Sequence, residues 1–191
     1  TNDGMDLKIL EKVLKEKSVR FIYTMPTYQN PTGISMPQDK KEELLNLCRN
    51  RDCIIIEDGF EEEIKYKGKA HRPLKSMDIS GQVIYLGAFT KILAPGLRIG
   101  WLIATPECIK RLTVLKSIFE ISSSSINQIF LNNFIKNGAF ELHLRKTRNV
   151  FKKRMKIAVN SIKKYVPPEK IEWTEPNGGY MIWIKLLTRL M

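Results

Sequence analysis

The sequence predicts an α/β protein built on a layered sheet, and three observations support that expectation. Short β-rich apolar runs stand at Val19-Arg20-Phe21-Ile22-Tyr23-Thr24, Cys53-Ile54-Ile55-Ile56 and Val83-Ile84-Tyr85-Leu86. Between the first two, Leu44, Leu47 and Cys48 recur on one face at helical intervals. A cluster of turn formers follows the first run and a glycine-bearing turn follows the third. Strands separated by helices argue for a sheet covered by helical layers. At 191 residues and 43% hydrophobic content, the chain is long enough for one good core.

The first two runs read as buried strands, and the second is too continuous to be exposed on one face. Ser35-Met36-Pro37-Gln38 has capping-box spacing and opens the helix between them. After the third strand and its turn comes a fourth, Ile99-Gly100-Trp101-Leu102-Ile103-Ala104. Thr105-Pro106 is an N-cap followed by proline at the first helical position, and that helix runs toward Lys116. Serines at 122–125 interrupt it. A second helix is expected over 126–136, stopped by Asn137-Gly138, and a third over about 141–164, stopped by Pro167-Pro168. Ile171-Glu172-Trp173 and Tyr180-Met181-Ile182-Trp183-Ile184 alternate like strands of a smaller sheet, so a domain change falls along the third helix.

Charge and cysteine content narrow the function classes. The 32 Lys and Arg against 20 Asp and Glu give a net charge of +12. The basic residues are scattered, with short clusters at Lys40-Lys41, Lys152-Lys153-Arg154 and Lys163-Lys164, and they fit solvated faces rather than a nucleic-acid surface. Cys48, Cys53 and Cys108 form no CxxC pair and read as reduced packing residues. His71 and His143 stand far apart without metal-ligand spacing, so no metal is expected. Trp101 and Trp183 read as core anchors. No run approaches the roughly 20 apolar residues of a membrane helix, and Thr1-Asn2-Asp3-Gly4 lacks the features of a signal peptide. The cytosol is the compartment these features suggest.

Chemistry concentrates where strands end. Pro26-Thr27-Tyr28-Gln29-Asn30-Pro31-Thr32-Gly33 follows the first strand, where α/β sheets bind ligands, and an asparagine held before proline can present its amide to a hydroxyl or phenolate; the Asn30-Pro31 bond is a candidate cis peptide. The second strand ends in Glu57-Asp58-Gly59-Phe60, where a carboxylate can hold a proton on a heterocyclic nitrogen. Glu61-Glu62-Glu63 beyond it reads as an exposed acidic face. The third strand leads into Gly87-Ala88-Phe89-Thr90-Lys91-Ile92-Leu93-Ala94-Pro95-Gly96-Leu97-Arg98-Ile99-Gly100. A desolvated lysine acts as an amine nucleophile toward an aldehyde, and a guanidinium clamps a phosphate through two parallel hydrogen bonds.

The order QNPTG, a strand ending in aspartate, then S/T-K with PGLR-x-G behind it resembles the class I/II aminotransferases of pyridoxal-phosphate fold type I. The resemblance implies a three-layer α/β/α large domain, present here in part, followed by the start of a small α+β domain. Residues 1–140 match the cofactor-binding large domain, and 141–191 the linking helix and the beginning of the small one. Pyridoxal 5'-phosphate is the implied cofactor. Asn30 matches the asparagine on its 3-oxygen, Asp58 the partner of its ring nitrogen, Lys91 the lysine linked to it and Arg98 the arginine on its phosphate, with Thr90 a further cofactor contact. Pro176-Asn177-Gly178-Gly179-Tyr180 resembles the segment opening the family's small domain, with Trp183 as its tryptophan.

The stretches IIIED, VIYLG-x-F-[ST]-K and His143-Leu144-Arg145-Lys146 onward resemble the aminotransferase-like domain of GntR-type regulators of the MocR group, ahead of aminoadipate and kynurenine-type aminotransferases. Three departures stand out. Ala88 replaces a Ser or Thr three residues before the lysine, and Phe60 replaces a tyrosine that follows the aspartate. The family's upstream half, with its Gly-rich phosphate loop and ring-stacking aromatic, has no match in these 191 residues, nor does the arginine that grips the substrate carboxylate. The resemblance therefore implies amino transfer between an amino acid and a 2-oxo acid by a homodimeric parent protein, with no turnover by this stretch alone. The alternative is a cofactor-binding effector sensor of a GntR/MocR-type regulator, in which nucleic acid would be bound only by an upstream domain. A third reading, an interaction domain without cofactor, is weakened by the retained Lys91, Asp58, Asn30 and Arg98.

Overall fold

The computed structural model describes residues 1–49, 51–68, 72–120 and 122–187. Its first element, α1 (Leu7–Glu16), goes beyond the sequence reading, which starts at Val19. Asp6 caps it, its carboxylate accepting from the Lys8 and Ile9 backbone N–H groups at 3.0 and 3.1 Å. Leu7, Leu10 and Leu14 then lie on one face and pack into the core.

Three parallel strands follow in spatial order: β1 (Phe21–Thr24), β2 (Ile54–Asp58) and β3 (Val83–Ala88). Helix α2 (Gln38–Cys48) makes the crossover between β1 and β2. The sequence places the strands correctly but not the start of α2. Pro37 is its N-cap, with no side-chain bond, and the Ser35 hydroxyl instead accepts from the Tyr28 N–H, so the capping box does not form. Ile22, Ile55 and Val83 point from the sheet toward Leu44, Leu45 and Cys48 of α2 and Leu7 of α1, making the main core.

The opposite sheet face is half-buried along β2 and β3 and exposed at the edge strands. Phe21 and Tyr23 are 61% and 57% exposed, so β1 is buried on one face only, contrary to the reading of two fully buried strands. After a single helical turn, α3 (Phe89–Ile92), the chain returns as β4 (Gly100–Ile103), antiparallel to β3. The sheet is therefore mixed, in order β1-β2-β3-β4. Trp101 and Trp183 are 36% and 45% exposed and are not core anchors here. Trp101 lies on the edge strand β4, opposite Gly87 in the ladder, with its ring against Phe89 and over Gly87.

Three long helices complete the chain before a second sheet: α4 (Pro106–Phe119), α5 (Ser125–Lys136) and α6 (Ala139–Tyr165). Thr105 caps α4 with proline next to it, as expected, and Gly138 takes the left-handed conformation at φ 69° between α5 and α6. A smaller cluster of Ile64, Tyr66, Ile92 and Leu144 packs α6 against α3. β5 (Ile171–Trp173) pairs antiparallel with β6 (Ile184–Leu186), so the last strand lies further along the chain than the alternation at 180–184 implied. Thr174 accounts for that shift, because it both donates to and accepts from the Trp183 backbone and closes the hairpin there.

Cys48 and Cys53 are buried and Cys108 is half-buried, all as free thiols. No helix among the described residues is long and apolar enough to cross a membrane. No group of three metal-ligating side chains occurs among them either. His71 lies outside the described residues.

Candidate functional site

The carboxyl ends of β1, β2 and β3 place Asn30, Asp58 and Lys91 at one edge of the sheet, and Arg98 stands just before the antiparallel return of β4. In parallel sheets this edge is where ligands bind.

Asn30 projects from a loop closed by its own backbone. Gln29 N donates to Ile34 O, and Met36 N to Pro26 O, at 2.8 and 2.7 Å. The Asn30–Pro31 peptide is cis and Tyr28 has φ 51°. Tyr28 is buried under the Gly178-Gly179 turn, where a Cβ on Gly178 would enter its ring. Asn30 itself is exposed and lines a cleft of about 390 Å³ with Tyr23, Gln29 and Thr32.

Asp58, the last residue of β2, is held from two sides. The Tyr23 hydroxyl donates to its Oδ2 at 2.6 Å and the Phe60 N–H to its Oδ1 at 3.2 Å. Tyr23 lies opposite Ile56 in the parallel register, so Asp58, two residues further, shares its face. Partial burial, together with the Asp58 hydrogen bond and charge, pushes the Tyr23 phenol up to about 12.

Lys91 sits on α3 with its side chain exposed. Its turn is pinned through the backbone: the Tyr180 hydroxyl donates to Lys91 O at 2.8 Å, and His143 Nε2 lies 2.8 Å from Ile92 O. His143 thus has a structural contact. Thr90 is half-buried beside Lys91, and Ala88, at the N-cap, makes no side-chain bond. Arg98 adopts the left-handed conformation, φ 51° and ψ 37°, immediately before β4. Leu97 O accepts from the Asn127 amide at 3.1 Å and Phe89 N donates to Ile99 O at 3.0 Å, so both ends of the loop carrying Lys91 and Arg98 are tied. Among the described residues only Tyr28 and Arg98 combine a side chain with positive φ. Such backbone costs roughly 1–3 kcal/mol and concentrates at functional loops.

Behind this edge lies a buried polar cluster that sequence reading missed. Lys41, taken there as part of a surface basic pair, is fully buried; its Nζ donates to Thr27 Oγ1 at 2.9 Å and to Arg72 O at 3.0 Å, and burial lowers its pKa. Glu57 is equally buried, its two oxygens accepting from the Leu74 and Lys75 N–H groups at 2.7 and 2.8 Å. Burial nevertheless pushes it up to about 7. Glu61 and Glu62 are not an exposed acidic face. Glu61 is 1% exposed and accepts from Tyr180 N at 3.2 Å, while Glu62 accepts from the Tyr85 hydroxyl at 3.0 Å. Burial raises both carboxyls, the Tyr180 N–H and then Lys91 drawing Glu61 back down and Lys41 doing so for Glu62. Only Glu63 is exposed, paired with Arg148 at 2.8 Å. A run of three glutamates gives no local signal of which ones fold inward.

Among the described residues the side chains of Asn30, Lys91 and Arg98 form no hydrogen bond or ion pair, and Lys91 acts on Glu61 only through its charge. An amide, an amine, a guanidinium and a carboxylate at one sheet edge form a donor set matched to a phosphorylated pyridine aldehyde. The amine suits the aldehyde, the carboxylate a protonated ring nitrogen, the guanidinium a phosphate and the amide a phenolate oxygen. The residues present fit pyridoxal phosphate.

Fold and site together define an α/β protein with a mixed sheet, one edge of which carries a lysine, an aspartate, an asparagine and an arginine. Over residues 1–188 the sequence matches the family model for aminotransferase class I and II, and the chain belongs to that family. It is 35% identical over 190 residues to aromatic-amino-acid aminotransferase 1 of Thermococcus litoralis, covering 97% of this chain and 45% of that protein. It is 33% identical over 186 residues to an HTH-type transcriptional regulator, YdfD, of Bacillus subtilis, covering 97% of this chain and 38% of the regulator. A crystal structure of Pyrococcus horikoshii kynurenine aminotransferase, in complex with PMP, superimposes on the whole chain with a TM-score of 0.95 at 35% identity, covering 48% of that structure. The chain thus spans about half or less of the length of these relatives.

Proposed function

We propose that the protein containing this chain is a pyridoxal-phosphate-dependent aminotransferase that moves an amino group between an amino acid and a 2-oxo acid. The observation that supports this most is that Asn30, Asp58, Lys91 and Arg98 all fall at one edge of the sheet, on segments whose backbones are tied. When bound, the cofactor supplies an aldehyde and an electron-accepting ring. Lys91 offers the amine nucleophile and, once released, carries a proton between carbon atoms. Asp58 holds negative charge against a protonated ring nitrogen, Arg98 takes the phosphate, Asn30 donates to the 3-oxygen and Thr90 adds a hydroxyl.

The division at residues 140 and 141 into large-domain and small-domain parts belongs to the same proposal, supported by the separate β5–β6 sheet beyond α6. So do a homodimer and a cytoplasmic location. The test is borohydride trapping of the holoprotein followed by peptide mapping. Label on Lys91 is expected, and label on another lysine with none on Lys91 overturns the assignment.

The similarity to YdfD favours a second reading, an effector sensor that binds an amine through the same lysine without turnover. A coupled assay of the full-length protein with a panel of amino donors separates the two. Catalytic turnover lost in Lys91→Ala supports the enzyme, and amine-dependent spectral change without product supports the sensor.

A further inference from the structure

The aspartate at the end of β2 does not stand alone, and its most intimate side-chain partner lies on another strand. Tyr23 Oη approaches Asp58 Oδ2 at 2.6 Å, within the range of a charge-assisted O–H···O⁻ bond. The two residues are 35 apart in sequence and meet because β1 and β2 are parallel and in register, with Tyr23 opposite Ile56. Tyr23 is 57% exposed, so water could satisfy its hydroxyl, yet the hydroxyl points along the sheet to the carboxylate. Phe60 N holds the other oxygen, Oδ1, at 3.2 Å. A neutral phenol facing a carboxylate can only donate, so the pair of contacts sets the rotation of the carboxylate plane at the ligand edge. Phe60, meanwhile, has no hydroxyl to offer, and Tyr23 is the tyrosine that reaches the aspartate.

We propose that Tyr23 is a positioning residue for Asp58, fixing the carboxylate's orientation toward the cofactor's ring nitrogen through the Tyr23 Oη to Asp58 Oδ2 hydrogen bond. This rests on the proposed role of Asp58. Tyr23 touches no reacting atom; it acts through the aspartate. Tyr23→Phe keeps the ring and removes one oxygen from a half-exposed position, so the fold survives the substitution.

The experiment is a double-mutant cycle on the full-length protein, with the dissociation constant of pyridoxal phosphate measured for wild type, Tyr23→Phe, Asp58→Asn and the double variant. Because this hydrogen bond is already made without ligand, its own strength cancels on binding, and the positioning role predicts that Tyr23→Phe weakens binding when Asp58 is present, through a misoriented carboxylate, and leaves it unchanged when residue 58 is Asn. The same factor in both backgrounds, or no weakening, overturns the positioning role while leaving Asp58's own role intact. If Asp58→Asn alone leaves binding unchanged, the Asp58 assignment falls and the positioning role falls with it.

A second readout needs no cofactor. In the ligand-free protein, ¹³Cζ-tyrosine NMR follows the Tyr23 phenol, assigned by its absence in Tyr23→Phe. Asp58→Asn is expected to lower its ionisation from about 12 by about one pH unit, because the hydrogen bond and charge that oppose phenolate formation are gone. An unmoved phenol overturns the coupling.

Discussion

Glu57→Gln tests the buried cluster behind the site through the pH dependence of stability. Glu57 is fully buried with each carboxylate oxygen on a backbone N–H, from Leu74 and from Lys75. Two such bonds and the nearby Lys41 favour the ionised form, but burial outweighs them and raises the carboxyl from an ordinary 4.5 to about 7. The folded value lies above the unfolded one, so across that window the native protein keeps a proton the unfolded chain has released. Its contribution to stability is therefore present in full below about 4.5 and lost as pH rises through about 7. A difference of about 2.5 in pKa, at about 1.4 kcal/mol per unit, makes roughly 3 kcal/mol over the full range, of which about 2.5 kcal/mol falls between pH 5 and 8. Glutamine is neutral throughout and removes this titration. Glu61 and Glu62 are also raised by burial and slope the same way, so the quantity to read is wild type minus variant. Urea denaturation at pH 5 and 8 should find wild type losing about 2.5 kcal/mol more than Glu57→Gln over that interval. Equal pH slopes would refute the reasoning. A wild type that gains relative to the variant would mean that the backbone donors and Lys41 outweigh burial.

Two further substitutions probe the loops. Gly178→Ala drives a methyl into the Tyr28 ring and to 2.6 Å from Ile64 O, where the backbone cannot give way. It should cost roughly 1–3 kcal/mol by urea denaturation, and an unchanged midpoint would show that the turn over the Asn30 loop is looser than its contacts imply. Ala88→Ser places a hydroxyl at the N-cap of α3, which has no side-chain cap, three residues before Lys91. Cofactor binding should tighten about tenfold if the hydroxyl reaches the phosphate; a stabilised ligand-free protein with an unchanged dissociation constant would assign it to capping instead.

Much of the fold was legible because strand and helix signals are local. Ile54, Ile55 and Ile56 announce β2, Thr105-Pro106 opens α4, and Asn137-Gly138 separates α5 from α6 where the sequence places the break. The residues of the candidate site were legible for a related reason. Asn30, Asp58, Lys91 and Arg98 stand directly beside strand ends or in the turns between them, and the order of those turns is carried by neighbouring residues.

The sequence by itself determined the order of strands, helices and turns that sets those four residues at or just beyond strand ends, since alternation, capping and turn chemistry act over a few residues. Only the tertiary structure decided the rest. The capping box at Ser35 lost to the hydrogen bond that Ser35 makes with Tyr28. Lys41, next to a half-buried Lys40 paired with Asp3, turned inward because Thr27 and Arg72, distant in the chain, offer it oxygens. β4 returns antiparallel to β3, a pairing that Phe89 N and Ile99 O extend by one rung, and Tyr23 meets Asp58 through a register between strands. Burial and hydrogen-bond partnership are properties of groups brought together from far along the chain, and no window of adjacent residues contains them.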